Sequence, residues 1–319
     1  MNIHGRDMKI FTANSNPALA KEIARILGVP LGESEVTTFS DGEIAISIGE
    51  SVRGLDVFVI QSTSVPVNRH LMELLIMIDA FKRASAGRIT AVVPYFGYSR
   101  QDRKSKSRDP ISARLVADLI SVAGADRILT MDLHSPQIQG FFSIPVDDLQ
   151  GISILAPYFK DRFGHREDDI VCVSPDLGSV ARARSFSHRV GIGLAIVDKR
   201  RQKANTSEVL NIIGDVKDKT VIIVDDMIDT AGTLCNAAAA VIELGGAREV
   251  YAAATHGVLS GEAVERIENS YIKEIMLLNT INVPEEKRFP KLRLLPVSGV
   301  FAQAIDRIYT DKPMSPLFN

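Results

Sequence analysis

Val221-Ile222-Ile223-Val224-Asp225-Asp226-Met227-Ile228-Asp229-Thr230-Ala231-Gly232-Thr233-Leu234 joins an apolar β-branched run to two carboxylates, a turn of small residues and the start of a helix. A run of Val and Ile without polar alternation is the pattern of a parallel strand covered on both faces. In open α/β sheets, ligands bind beyond the carboxyl ends of such strands. The turn from Asp229 to Thr233 offers backbone N–H groups, the positive end of a helix dipole and two threonine hydroxyls, which together make a phosphate cradle. Carboxylates suit sugar hydroxyls, because one carboxylate accepts two hydrogen bonds from a cis-diol. Neighbouring residues on a regular strand point to opposite faces. The reading in which Asp225 and Asp226 serve one ligand therefore has the strand end before them. In the plainer alternative, Asp229 and Thr230 are helix caps and the acid pair faces solvent. A buried strand and twin acids attached to the turn favour the phosphate site.

Outward from this stretch the same alternation continues. Strands are predicted at Lys9–Thr12, Asp56–Gln61, Arg88–Pro94 and Arg127–Asp132, then at Ile170–Ser174, Gly193–Val197, Glu249–Thr255 and Glu274–Leu278. Between them lie helices. Asn16-Pro17 caps one that runs to Leu27, with Gly28 as its stop. Asn68 opens another, Ser112–Val122 is a third, and an Ala-rich helix from Thr233 to Leu244 closes on Gly245-Gly246. The fold class that follows is α/β, two tandem doubly wound parallel-sheet domains. The boundary is placed in a linker near Ile144–Gly151, giving an N-terminal domain over residues 1–147 and a C-terminal domain over 148–319, whose last residues are expected to pack back on the N-terminal domain.

Composition narrows the function. The chain has 319 residues, 45% hydrophobic and 24% charged, which excludes disorder as its dominant state. Lys plus Arg is 37 and Asp plus Glu is 39, a net charge of −2. A protein that coats nucleic acid or an anionic membrane carries a basic excess instead, so neither partner is expected. Any anion must meet a local basic cluster, and Arg100, Arg103, Lys104, Lys106 and Arg108 supply one with Asp102 as its only acid. No Cys/His spacing suggests zinc. Cys172 and Cys235 sit in apolar company and read as core residues of a reducing compartment. Met1 to Ile10 lacks the apolar run of a signal peptide and no segment is apolar enough to span a membrane. The expected address is the cytoplasm.

The stretch at 221–234 resembles the phosphoribosyl diphosphate signature of type I phosphoribosyltransferases and ribose-phosphate diphosphokinases. Further segments resemble the diphosphokinases and not the transferases. They are Phe39-Ser40-Asp41-Gly42-Glu43, Ser51-Val52-Arg53-Gly54, Leu71-Met72-Glu73-Leu74-Leu75, Pro94 through Lys104, Met131-Asp132-Leu133-His134, Gln137 through Phe142, and Asp198-Lys199-Arg200-Arg201. They run in the family's order over nearly the whole chain. The resemblance implies transfer of the β,γ-diphosphoryl group of ATP to the 1-hydroxyl of ribose 5-phosphate. It assigns the ribose hydroxyls to Asp225 and Asp226, and the 5-phosphate to Asp229, Thr230, Ala231, Gly232 and Thr233. Arg100 and Gln101 contact ATP in the family, and Phe39, Asp41, Gly42 and Glu43 reach the adenine of ATP bound in a neighbouring subunit. His134 and Asp176 match positions that bind the Mg2+–ATP complex. Lys199 and Arg201 match the catalytic positions of a flexible loop, with Arg201 also on the ribose 5-phosphate side. The family further implies hexamers assembled from dimers.

No Gly-x-x-x-x-Gly-Lys-Ser/Thr is present, so a P-loop kinase is excluded, and Gly191-Ile192-Gly193 precedes a strand and is no dinucleotide fingerprint. Two rivals stand beside the diphosphokinase: a phosphoribosyltransferase, and a silent subunit or ligand sensor on the same fold. The Arg100-Gln101 and Lys199–Arg201 segments argue against the first, and the intact Lys199-Arg200-Arg201 run argues against the second. Three departures from the family's pattern stand out. Ser179 replaces one of a pair of glycines and is expected to crowd the sugar or metal pocket. Gln202 replaces a proline, and Phe301 stands where a smaller residue is common.

Overall fold

A computed structural model describes residues 5, 7–164, 169–200 and 209–318. The chain divides into two compact units: Met1–Gln150 with Thr280–Asn282 and Pro296–Asn319, and Gly151–Asn279 with Val283–Leu295.

The first unit is built on five parallel strands. They are β1 (Met8–Thr12), β4 (Asp56–Ile60), β5 (Arg88–Val93), β6 (Arg127–Met131) and β7 (Val146–Leu149), side by side in that order. The antiparallel hairpin β2 (Ser34–Thr38) and β3 (Ile44–Ile48) stands apart as its own small sheet. α1 (Pro17–Leu27) begins as its capping residues require, with Asn16 accepting a hydrogen bond from Leu19 N at 3.3 Å, and stops at Gly28, whose φ of 68° is left-handed. α2 (Val67–Arg83) and α3 (Ser112–Ala123) cover one sheet face, where Phe11, Val57, Val59 and Ala91 pack against Leu74, Met77, Phe81, Val116 and Ile120. The alternate residues Ile10, Phe58 and Ile60 are buried as well, so both faces are covered.

The segment 144–151 is not the linker expected of it. Its two acids lie on β7: Asp147 accepts from Arg127 Nη1 at 2.5 Å and Asp148 Oδ1 from Leu133 N at 3.2 Å. Pairing with β6 turns a charged tetrapeptide of poor intrinsic strand preference into an edge strand. A division after residue 147 would cut that strand, and the first unit extends to Gln150.

The second unit starts with α4 (Ile152–Phe163), β8 (Ile170–Ser174), α5 (Val180–Val190) and the hairpin β9 (Gly193–Arg200) and β10 (Val209–Ile213). β11 (Thr220–Ile228), α6 (Gly232–Glu243), β12 (Glu249–Gly257), α7 (Ala263–Glu268), β13 (Ile272–Leu278) and β14 (Leu292–Leu295) follow. The sheet order is β10-β9-β8-β11-β12-β13-β14, parallel except for β10. From β8 the chain winds one way to β9, and from β11 the other way to β12. The switch point therefore lies between β8 and β11. Val221 and Ile223 pack beneath Leu234, Ala237, Ala238 and Val241 of α6. That helix ends where Gly245 passes so close to Val216 that a Cβ there would lie 2.4 Å from Val216 Cγ2. The last helix, α8 (Ser298–Tyr309), belongs to the first unit and packs on α1, with Phe301 fully buried as a core residue. Cys172 is buried, its thiol pushed up by burial, whereas Cys235 is only half-buried on α6 and is not the core residue expected.

Candidate active site

At the switch point β8 and β11 deliver their carboxylates. Beyond β8, Ser174 Oγ donates to the Asp176 carbonyl at 2.7 Å, which folds the chain back, and Asp176 Oδ1 accepts from Ser179 N at 3.0 Å. Ser179 Oγ then donates to Asp225 Oδ1 at 2.8 Å, and Asp226 N donates to the same oxygen at 2.9 Å. Ser179 thus ties the turn after β8 to the first acid of β11. Its backbone N–H donates to Asp176 and its hydroxyl to Asp225, the second a contact between residues 46 apart that no sequence spacing announces.

β11 does not end before the acid pair. It runs to Ile228, with Asp225 opposite Ala254 and Met227 opposite His256. The pairing continues because β12 is also long, and a neighbour's backbone extends a strand past its apolar residues. Asp226 is buried and Asp225 half-buried. The alternation of a strand does not isolate them electrostatically. Burial, and next the neighbouring Asp226, push the Asp225 carboxyl up to about 7, against which the Ser179 hydroxyl pulls it down. A carboxylate held this way gains from hydrogen-bond donors such as sugar hydroxyls. Ser179→Ala removes one donor from the charged form. The midpoint of the pH dependence of ribose 5-phosphate affinity is expected to move to higher pH, by about one unit or less for a single hydrogen bond. Isothermal titration calorimetry between pH 6 and 9 checks this, and an unmoved midpoint would mean that Asp225 does not govern the site.

After Ile228 the turn is set by its neighbours. The Ile228 carbonyl accepts from Val258 N and Leu259 N at 3.0 Å each, and the Asp229 carbonyl from Ser260 N at 2.9 Å. Ala231 takes a left-handed φ of 61°, a conformation costing a non-glycine residue of order 1 kcal/mol. Such a cost concentrates where a turn must aim its amides. Thr230 and Thr233 are exposed at the mouth of α6, and Gly232 opens the helix. The turn Asp229–Thr233 and the acid pair thus lie on one strand–turn–helix unit, as their order along the chain implies.

Among the expected ATP contacts, Arg100 and Gln101 lie in the first unit on the connection from β5 to α3. Both are exposed, and Gln101 is fixed by its N–H to the Tyr98 carbonyl at 2.9 Å and by Ser112 Oγ donating to its Oε1 at 2.5 Å. Phe39, Asp41, Gly42 and Glu43 form the exposed tip of the β2–β3 hairpin. There Phe39 N donates to the Glu43 carbonyl at 2.7 Å and Gly42 turns with φ 98°. The base of the hairpin is pinned by Asn14 Nδ2, which donates to the Val36 carbonyl at 3.2 Å and to the fully buried Glu73 at 2.9 Å. His134 follows β6 and is exposed. Lys199 lies on β9, opposite Leu210, so the strand outlasts its predicted end at Val197. Arg201 and Gln202 fall outside the described residues. Among the described residues no three His, Cys, Asp or Glu side chains converge on a metal cage. Mg2+ needs none, since it keeps waters and takes one or two carboxylates with substrate phosphates. The oxygen donors at the end of β8 fit that chemistry.

Comparison with known proteins shows the family. Residues 8–124 match the family model for the N-terminal domain of ribose phosphate pyrophosphokinase, and residues 200–319 match that for a phosphoribosyl synthetase-associated domain. A ribose-phosphate pyrophosphokinase of Clostridium perfringens is 63% identical over 318 residues, 100% of this chain and 99% of that protein. The chain belongs to the ribose-phosphate pyrophosphokinase family. The Bacillus subtilis ribose-phosphate pyrophosphokinase is 55% identical over 98% of each chain. The crystal structure of phosphoribosylpyrophosphate synthetase from Mycobacterium smegmatis superposes with a TM-score of 0.90 at 43% identity, over 96% of this chain and 100% of that one. The family and the α/β class read from the residues are thus both present. What sequence reasoning missed at this pyrophosphokinase site is the bridging role of Ser179 and the part taken by the β12–α7 connection.

Proposed function

We propose that this chain makes 5-phosphoribosyl 1-diphosphate and AMP from ATP and ribose 5-phosphate, with the residues assigned as follows. The observation that carries the assignment is one strand–turn–helix unit at the sheet's switch point, holding both the acid pair and the left-handed turn. Asp225 takes the ribose hydroxyls, while Asp226, on the opposite face of the continuing strand, acts by raising the Asp225 carboxyl, and the amides and hydroxyls of Asp229–Thr233 take the 5-phosphate. The 1-hydroxyl oxygen attacks the β-phosphorus in line. The bond between O1 and the β-phosphorus forms, the bridge to the α-phosphate breaks with its oxygen leaving on AMP, and the hydroxyl proton is released. Lys199 and Arg201 neutralise charge growing on the β-phosphoryl and bridging oxygens. Asp176 and His134 are the residues that would hold a Mg2+ ion brought with ATP, which supplies charge neutralisation at the phosphates. Arg100 and Gln101 bind ATP.

The decisive experiment mixes purified protein with Mg2+, ATP and ribose 5-phosphate and separates the nucleotides. AMP formed in step with the sugar diphosphate supports the reading, whereas ADP would mean an ordinary kinase. No turnover with ribose 5-phosphate still bound would favour a silent subunit.

Self-association is part of the proposal. The exposed hairpin tip carrying Phe39, Asp41 and Glu43 suits an ATP site completed by a second copy. An apolar stripe on α3 offers a contact surface: Leu115 is 59% and Val122 77% exposed, Leu119 lies between them, and an Arg114–Asp118 pair at 2.8 Å flanks the stripe. Leu115→Glu is expected to shift the protein to smaller species in light scattering after gel filtration, and to lower activity at dilute protein. An unchanged mass would exclude α3 from the contact. No described helix is long and apolar enough to cross a membrane, and a cytoplasmic address completes the reading.

A further inference from the structure

Arg266 lies on α7, far in sequence from every residue assigned above. Its Nη1 donates to the Thr230 carbonyl at 3.1 Å, and its Nη2 pairs with Glu262 Oε2 at 3.0 Å. A Cβ built on Gly232 would lie 3.9 Å from Nη1, so the guanidinium sits against the first turn of α6. We propose that Arg266 is a positioning residue for sugar-phosphate binding, acting through the Thr230–Ala231 peptide.

The Thr230 carbonyl and the Ala231 N–H belong to one planar trans peptide, so they point in opposite directions. A cation holding the oxygen on the α7 side turns the N–H the other way and keeps Ala231 in its left-handed conformation. It also polarises the amide, because hydrogen bonds in series strengthen one another, and the N–H becomes a better donor to an anion. Arg266 need not touch the phosphate to do this. Glu262 holds the second nitrogen and sets the plane of the guanidinium. The Arg266 side chain is 45% exposed, and it borders a groove of about 620 Å3 lined also by Asn236, Glu262, Glu265 and Asn269. The inference rests on the reading of Asp229–Thr233 as the phosphate turn.

The test is steady-state kinetics of Arg266→Ala and Arg266→Met, the second keeping the length of the stem while removing the donors. Each is expected to raise KM for ribose 5-phosphate about tenfold, the effect of losing one charge-assisted hydrogen bond. KM for ATP should not move, and kcat should stay within about threefold. Arg266→Lys should recover most of the loss. Millimolar guanidinium added to Arg266→Ala should recover part of it, because the emptied space opens onto the groove. A purely structural role would weaken both substrates together and would not respond to guanidinium. Equal changes for the two substrates, or an unchanged KM for ribose 5-phosphate, would overturn the inference. Calorimetry of ribose 5-phosphate with the wild-type chain and with Thr233→Ala separates the two readings. Wild-type affinity that is absent or indifferent to Thr233 overturns the phosphate turn itself. Affinity that depends on Thr233 but not on Arg266 overturns only the role of Arg266.

Discussion

Lys199→Ala is expected to cut turnover by about 100–1,000-fold, the usual cost of losing a preorganised donor to transition-state charge. The dissociation constant for ribose 5-phosphate should stay within about threefold, because an interaction made only in the transition state leaves ground-state binding alone. The reason lies in where the chain puts the residue. Lys199 is the last but one residue of β9, and the β9–β10 hairpin at the sheet edge carries residues 201–208 between its strands. The acid proposed to bind the sugar is on β11, on the far side of β8 from β9. On the proposed assignment one strand pair delivers catalytic charge and another holds the sugar, so a substitution on the first should separate kcat from affinity. Single-turnover measurement of AMP release, beside calorimetry of the sugar, checks this. Equal losses in rate and affinity would make Lys199 a binding residue.

Asp225→Asn is expected to have the largest effect on the sugar. KM for ribose 5-phosphate should rise about 10–100-fold, the range for losing a hydrogen bond to a charged group. The same substitution should make the ligand-free protein more heat-resistant at alkaline pH. The carboxyl has an ordinary value of 3.8 and is raised in the folded chain to about 7 by burial and by Asp226. A group raised on folding adds stability that is full below its unfolded value and is lost as pH climbs through the folded one. Above about pH 7 the wild-type chain therefore carries a buried charge that the unfolded chain would hydrate. Asparagine carries no charge at any pH. The melting temperatures of variant and wild type should converge near pH 4 and separate toward pH 8, with the variant higher. Ribose 5-phosphate should raise the wild-type melting temperature at pH 8 and leave the variant's nearly unchanged. Parallel curves across this range would mean that Asp225 is solvated and that its environment, as described, is wrong.

Much of this architecture could be read from local pattern. The cap at Asn16-Pro17, the stop at Gly28 and the span of α3 are properties of a few adjacent residues, and the structure reproduces them within a residue or two. The acid pair and the turn were legible for the same reason, since fourteen consecutive residues carry strand, carboxylates and helix start. Some strand ends were legible, as for Ile170–Ser174, and others were not. β11 outlasts its apolar run by pairing with β12, β9 outlasts its own by pairing with β10, and β7 exists because β6 lies beside it. Backbone hydrogen bonds of a sheet are contributed by a partner that sequence neighbours do not reveal.

The sequence by itself determined the alternating elements, the family, and the candidate residues for sugar, phosphate and nucleotide, because those depend on composition within short windows. Only the tertiary structure decided that Ser179 bridges Asp176 and Asp225, that Phe301 is core, and that Arg266 meets the Thr230 carbonyl. Each of these is a contact across tens of residues or more, made when packing brings distant backbone together. The charge state of Asp225 belongs there too, since burial and a neighbouring carboxylate, not residue type, raise it.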